Sequence, residues 1–195
     1  MTLIYEPAED SYLLSETIKS EIPKLLIKNP DLKFLEIGAG SGINLKSAGE
    51  SDILKQKIFS CDININAVNY CRLLGFNCIK SNLFEAFKGR LNVKGNLVPL
   101  QYDVIAFNPP YLPEDKREPR DSRKNTTGGK RGNEIIIEFL NQAKNHLNKN
   151  GILLLVVSSL AEEIDFNKLG YKFKKISEKK FFFETISVLK LELIE

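Results

Sequence analysis

The tetrapeptide Asn108-Pro109-Pro110-Tyr111 has the residue types needed to hold a planar amide or amino group. Proline fixes φ and has no backbone N–H, so the two prolines leave the local carbonyl groups free to face a ligand. The Asn108 amide oxygen and the Pro109 carbonyl can each accept one N–H of an –NH2 group, and Tyr111 could stack on its plane. Two such bonds would orient a weakly nucleophilic nitrogen for reaction. A plain proline turn after a strand is the alternative.

A glycine-rich loop, EIGAGSG at residues 36–42, follows an apolar run near the start of the chain. Gly38, Gly40 and Gly42 permit a tight turn and a close approach of the backbone to a ligand. Their spacing is GxGxG, whereas dinucleotide-binding folds are typified by GxGxxG. The loop therefore predicts a cofactor site of another kind, with Glu36 at the strand end among its contacts.

Polar residues follow the next two apolar runs. Asp62 lies 22 residues after Gly40, where its carboxylate can accept both hydroxyl protons of a ribose. Asn82 follows the third run, and its amide oxygen can accept a hydrogen bond from an adenine amino group. We expect the neighbouring Ile63 and Leu83 to line the same site. The alternative for Asp62 is that it only caps the turn before the next helix.

Alternating apolar runs and amphipathic stretches must position these residues, and this alternation predicts an α/β fold with a mostly parallel sheet. Two final strands with a short connection predict a C-terminal antiparallel hairpin. The predicted strands are Lys33–Ile37, Ile58–Cys61, Cys78–Lys80, Tyr102–Phe107, Ile152–Ser158, Tyr171–Ile176 and Glu184–Leu193. The predicted helices begin at Asp10 or Ser11, span Pro23–Lys28, follow the glycine loop, and span Asn66–Leu74 and Asn133–Leu147.

Composition narrows the class of protein. With 195 residues, 43% apolar and 27% charged, the chain suits one globular domain over residues 1–195, and its net charge of +3 does not indicate nucleic acid. No run approaches the ~20 apolar residues of a membrane span, and the first residues lack a secretion signal. Cys61, Cys71 and Cys78 match no zinc or disulfide pattern, so we expect reduced thiols in the cytoplasm. The single histidine, His146, is expected on a solvated helix face, which disfavours metal catalysis.

The segment of residues 113–132 is polar and basic. Its portion 116–131 contains seven Lys/Arg and two acids, with little apolar content. We expect it to be mobile. It could gate the site and guide a protein substrate, follow the phosphates of an RNA, or be a solvated loop without a ligand.

The glycine loop, Asp62 and the Asn108 tetrapeptide, in this order, resemble the class I (Rossmann-like) S-adenosylmethionine-dependent methyltransferases that act on adenine N6, guanine N2 or a glutamine amide. The stretches YEPAEDSYLL (5–14), GGKRGNE (128–134) and ETISVLK (184–190) resemble the stand-alone eukaryotic and archaeal form of the HemK family of glutamine methyltransferases. The resemblance implies a seven-stranded sheet, S-adenosylmethionine as cofactor, and a helical segment at residues 1–30 that covers it through Tyr5, Pro7, Asp10 and Ser11. Asn82 departs from the family's usual aspartate.

The resemblance further implies a substrate and a partner. The substrate would be the glutamine of the GGQ motif in a class-I translation release factor. The partner would be a small zinc-binding activator protein in a heterodimer, seated beside the third strand at residues 77–80. A nucleic-acid methyltransferase that flips a base into the site remains an alternative, as does a non-catalytic cofactor-binding scaffold.

Overall fold

The computed structural model describes residues 4–87, 89–91, 97–114 and 126–194. A seven-stranded mixed sheet lies at its centre. Its seven strands are β1 (Phe34–Ile37), β2 (Ile58–Asp62), β3 (Asn77–Lys80), β6 (Tyr102–Phe107), β7 (Leu147–Ser158), β8 (Tyr171–Lys180) and β9 (Thr185–Leu193), while β4 (Arg90–Leu91) and β5 (Leu97–Val98) form a separate two-stranded sheet. The order β3-β2-β1-β6-β7 is parallel, and β9 and β8 follow antiparallel. This arrangement confirms the predicted class I methyltransferase fold. The short antiparallel pair of β4 and β5 was not predicted.

Helices cover both faces of the sheet, and they are α1 (Glu9–Leu26), α2 (Ile43–Glu50), α3 (Ile65–Leu73) and α4 (Glu134–Ala143). Side chains of a strand alternate between faces, so Phe34 of β1 joins the core cluster beneath α1, α2 and α3 while Leu35 joins the cluster beneath α4. Burial of both faces explains why the central strands read as continuous apolar runs. Among the described residues, no helix has the length and apolar character required to cross a bilayer.

The strand order reverses between β1 and β6, which are neighbours although four strands separate them in sequence. In open α/β sheets the loops that leave such a pair of strands diverge to opposite faces, and a crevice forms at the carboxyl ends. The glycine loop follows β1 and the Asn108 tetrapeptide follows β6. The topology therefore brings both motifs to one crevice.

The prediction of a separate helix at Pro23–Lys28 is wrong, because α1 continues through Pro23 to Leu26. A proline inside a helix lowers the stability of the helix by roughly 3 kcal/mol, because it removes one hydrogen bond and crowds the preceding turn. Ile18 and Ile22, on the same helix, are fully buried, and burying such a side chain contributes about 1.5–3 kcal/mol. Packing on the sheet thus outweighs the proline.

The prediction of a solvated His146 is also wrong. Helix α4 ends at Ala143, and His146 lies in the following turn, buried, with its ring stacked on Phe84 at a centroid distance of 4.5 Å. Its Nδ1 is 2.8 Å from the carbonyl oxygen of Leu100, and burial lowers the pKa of the imidazole. The cause is that β7 begins at Leu147, earlier than predicted, and draws the preceding turn into the core.

Candidate cofactor and substrate site

A cavity of about 320 Å³ lies at the carboxyl ends of β1, β2 and β6. Its walls come from the N-terminal segment, the glycine loop and the turns after β2, β3 and β6. It brings together most of the predicted site residues: Tyr5, Asp10, Ser11, Glu36, Gly38, Gly40, Asp62, Ile63, Asn82, Leu83, Asn108, Pro109, Pro110 and Tyr111. Segments distant in sequence therefore form one site.

Two residues predicted to contact the cofactor do not line this cavity. Gly42 adopts φ of 72° and precedes α2, and a Cβ added there would lie 3.3 Å from Cys71 Sγ and 3.3 Å from Leu74 Cδ1. Glycine is required at this position because α3 packs closely against the loop. Pro7 is half-buried in the segment before α1 and also lies outside the lining.

Asp62 shapes the glycine loop as well as the cavity. Its Oδ2 accepts a hydrogen bond from the Gly40 N–H at 2.9 Å, and its Oδ1 accepts one from the Asn64 N–H at 2.7 Å. Burial raises the pKa of the carboxyl, and these N–H groups oppose that effect. An ionised carboxylate offers about four acceptor positions. Asp62 therefore caps the turn and can still accept ribose hydroxyl groups.

Glu36, predicted as a cofactor contact, lines the cavity together with Asn44, which was not predicted. Glu36 Oε1 accepts a hydrogen bond from Asn44 Nδ2 at 2.8 Å. Within the described residues, Glu36 Oε2 and Asn44 Oδ1 have no hydrogen-bond partner although both are buried. Burial raises the pKa of Glu36 well above its ordinary value. A cationic ligand in this cavity would favour the ionised form of Glu36, and S-adenosylmethionine carries both an ammonium and a sulfonium group.

Helix α1 orients the Asn108 tetrapeptide through its first residues. Asn108 Nδ2 donates to Ser11 Oγ at 3.5 Å, and the Tyr111 hydroxyl donates to Asp10 Oδ2 at 3.2 Å. The Tyr5 hydroxyl donates to the same carboxylate at 3.4 Å. Burial, with the Asp10 charge, raises the pKa of Tyr5 to about 12 and raises that of Tyr111 further. Both tyrosines are therefore hydrogen-bond donors at neutral pH.

The Asn108 side-chain oxygen is the acceptor that remains available. Since Nδ2 faces Ser11, Oδ1 points elsewhere, and it is buried without a partner among the described residues. A buried acceptor left unpaired costs about 1–3 kcal/mol, which a ligand N–H would recover. This position suits the predicted –NH2 group.

The segment of residues 126–132 supports the tetrapeptide from behind. The Gly128 N–H donates to the Leu112 carbonyl at 2.9 Å, and a Cβ added to Gly128 would lie 2.6 Å from the carbonyl oxygen of Pro110. A Cβ added to Gly132, whose φ is 80°, would overlap the carbonyl oxygen of Tyr111. Only glycine permits these approaches. The end of the predicted mobile segment is thus packed on the site, while its residues 115–125 lie outside the described residues.

The turn after β3 completes the cavity. Asn82 is exposed, and its Nδ2 donates to Glu85 Oε1 at 3.2 Å, while Leu83 is buried. The cavity is also lined by Ser81, Phe107 and Ile135, which were not predicted from the sequence. Their residue types are common in cores, so no chemical signal marked them. Within the described part of the chain, no group of three or more His, Cys, Asp or Glu side chains could hold a metal ion.

A parallel sheet with a C-terminal antiparallel hairpin, a glycine loop after β1 and an asparagine after β6 define a class I methyltransferase. The model of the methyltransferase small domain family matches residues 11–181. The chain belongs to that family, and its cofactor is S-adenosylmethionine.

Curated relatives and solved structures agree with this assignment. A Methanocaldococcus jannaschii protein, provisionally named a protein N5-glutamine methyltransferase, is 35% identical over 95% of this chain and 90% of its own length. The eRF1 methyltransferase catalytic subunit mtq2 of Schizosaccharomyces pombe is 28% identical over 96% of this chain and 88% of its own. The crystal structure of TrmN from Thermus thermophilus shares the fold at a TM-score of 0.58 and 14% identity, with 90% of this chain covering 48% of that chain.

Proposed function

We propose that this protein transfers the methyl group of S-adenosylmethionine to the side-chain amide nitrogen of a glutamine, the GGQ glutamine of a class-I translation release factor. The observation that carries the proposal is the buried, unpaired Oδ1 of Asn108, a residue that lines the cofactor cavity. The relatives named for glutamine N5 and for eRF1 support this choice of substrate.

The chain's own groups perform the positioning. Asn108 Oδ1 and the Pro109 carbonyl accept the two N–H groups of the glutamine amide, and the Ser11 hydroxyl fixes the orientation of the Asn108 side chain. With both N–H groups held in the plane, the nitrogen presents its electron density perpendicular to that plane. When bound, S-adenosylmethionine supplies an electrophilic methyl on its sulfonium. Methyl transfer would form the N–C bond as the C–S bond breaks, which leaves S-adenosylhomocysteine, and the methylated nitrogen would release one proton; catalysis is mainly positioning.

Tyr111 shapes the substrate side of the site. Its hydroxyl is held by Asp10, so its ring has a fixed orientation at the cavity wall. A fixed aromatic ring provides a flat apolar surface for a planar amide.

We also propose the heterodimer with a small zinc-binding activator protein at the β3 edge. Strand β3 is one of the two edge strands of the sheet, so its outer backbone groups can pair with a further strand. Helix α3, beside β3, leaves Tyr70 and Leu73 exposed. The S. pombe relative is named a catalytic subunit, which supports an assembly of this kind. Co-expression with the activator should yield a stable complex, and Leu73→Asp should weaken it.

Transfer of labelled methyl tests the substrate. Purified protein, with and without the activator, receives labelled S-adenosylmethionine and a class-I release factor, its GGQ glutamine-to-alanine variant, or bulk RNA and DNA. We expect label on the release factor and none on the alanine variant. Label on nucleic acid alone would contradict the proposal and assign the site to a base.

A further inference from the structure

Two adjacent phenylalanines stand exposed at the tip of the β8–β9 hairpin. The connection at residues 181–184 reads FFFE, and the Phe181 N–H donates to the Glu184 carbonyl at 2.7 Å, which closes the turn. Phe181 packs against the core, but Phe182 and Phe183 are 100% and 92% exposed, the highest values among large apolar side chains of the described residues. Their ring centroids are 6.5 Å apart. Such a paired aromatic patch is typical of a contact surface.

This tip lies at the same end of the sheet as the catalytic cavity. Ser158, the last residue of β7, donates through Oγ to Glu184 Oε1 at 2.6 Å. The carboxyl end of β7 adjoins that of β6, where the Asn108 tetrapeptide begins. The charge of Glu184 also contributes to the raised pKa values of Tyr5 and Tyr111 in the cavity wall. A macromolecule that inserts a side chain into the cavity would therefore reach the hairpin tip.

Strand β8, which leads into the tip, is rich in lysine. Strand β8 carries the lysines Lys172, Lys174, Lys175, Lys179 and Lys180. Three of them are ion-paired, and one of these pairs, between Lys179 and Glu9, ties the hairpin to the start of α1. Within the described part of the chain, Lys174 and Lys180 form no direct ion pair, although the charge of Lys180 helps to lower the pKa of Glu178, and Lys180 directly precedes the aromatic tip. The tip thus combines two exposed aromatic rings with an adjacent lysine that forms no direct ion pair.

We propose that Phe182, Phe183 and Lys180 form a docking surface for the protein that carries the substrate glutamine, through an apolar pocket bordered by acidic residues. This inference rests on the proposed function. Strand β8 is the sheet edge opposite β3, so the proposed activator leaves the hairpin free. Aromatic side chains often dominate protein interfaces. An RNA partner is less suited, because tracking phosphates requires several free cations and most lysines of β8 are paired.

The test compares an intact protein substrate with a short one that cannot reach the hairpin. The variant is Phe182→Ser with Phe183→Ser, and the control is Ile27→Ser, which removes an 84% exposed apolar side chain at the far end of α1. Both are assayed, with activator present, on the intact release factor and on a short peptide containing the GGQ loop. Cofactor binding is measured by calorimetry, and RNA binding by filter retention.

We expect kcat/KM of the double variant on the intact release factor to fall about tenfold or more, mainly through KM. Activity on the peptide, cofactor affinity and the Ile27→Ser control should stay at wild-type values. Equal activity of the double variant on the intact factor would overturn the docking surface, as would an equal loss on factor and peptide. The docking surface would also be overturned if the double variant lost RNA binding while its methylation of the release factor stayed unchanged. If the wild type methylates neither glutamine substrate, the proposed function fails, and the docking surface fails with it.

Discussion

Replacing Asn108 with alanine tests the central contact of the site. The change removes the buried Oδ1 acceptor and the Nδ2 hydrogen bond to Ser11, so the substrate amide would keep only the Pro109 carbonyl. Loss of one preorganised hydrogen-bonding group in an active site costs about 10²–10³ in kcat, or roughly 2.7–4 kcal/mol. We expect a decrease of this size. Cofactor affinity should stay near normal, because the glycine loop, Glu36 and Asp62 are untouched.

The assay is single-turnover transfer of labelled methyl to the release factor, with calorimetry for cofactor binding. Ser11→Ala provides a graded comparison, since it keeps the Asn108 oxygen and removes only the group that orients it. The loss expected for this variant is about tenfold, the effect of one neutral hydrogen bond. If Asn108→Ala turned over within about threefold of wild type, a change worth under 1 kcal/mol, the amide-holding role would be refuted.

Other predictions concern the cofactor pocket and its support. Asp62→Ala should weaken cofactor binding in calorimetry, because a ribose acceptor and the Gly40 tether are lost; unchanged affinity would leave Asp62 a turn cap only. The raised pKa of Glu36 means that the folded state holds its proton above pH 4.5 while the unfolded state releases it, so this group's contribution to stability falls as pH rises. We expect the free energy of unfolding in urea, measured without cofactor, to rise for Glu36→Gln relative to wild type from pH 5 toward neutrality. A difference between the two proteins that does not change with pH would contradict this. Gly128→Ala should lower the free energy of unfolding by about 1–3 kcal/mol, and it should reduce methyl transfer because the new Cβ displaces the Pro110 carbonyl. Gly49→Ala is the control for this variant. Gly49 lies inside α2, and its added Cβ would meet Ile58 Cδ1 at an ordinary contact distance of 3.7 Å. Thermal unfolding should therefore show a free energy of unfolding raised by up to about 1 kcal/mol.

The sequence predicted the sheet strands and their polar ends well, because local signals specify both. Buried parallel strands require apolar residues at every position, and the strand ends are marked by Gly38, Asp62, Asn82 and Asn108. The strand bounds observed for β1, β2, β3 and β6 differ from the prediction by at most one residue. The C-terminal antiparallel pair was equally visible, since a short connection cannot cross over to a parallel strand.

Errors arose where packing overrides a local preference. Pro23 has a strong tendency to end a helix, yet the buried side of α1 carries the helix onward. His146 occurs in a polar stretch, but the early start of β7 places its ring against Phe84. Gly42 belongs to a cofactor motif by spacing, and the close approach of α3 decides its role. Each of these outcomes depends on residues distant in the chain.

The sequence by itself determined the class of chemistry, because the glycine loop, Asp62 and the Asn108 tetrapeptide are short motifs whose residue types are required for their function. The tertiary structure alone decided which of their atoms remain available. Ser11 lies 97 positions from Asn108, and its Oγ accepts the hydrogen bond of Asn108 Nδ2. Asn44 Nδ2 donates to Oε1 of Glu36, and Oε2 has no partner among the described residues. The tertiary structure also placed the Phe182–Phe183 tip at the same end of the sheet as the cavity. Hydrogen-bond satisfaction and proximity are properties of the packed chain, and neither can be obtained from residue type and spacing.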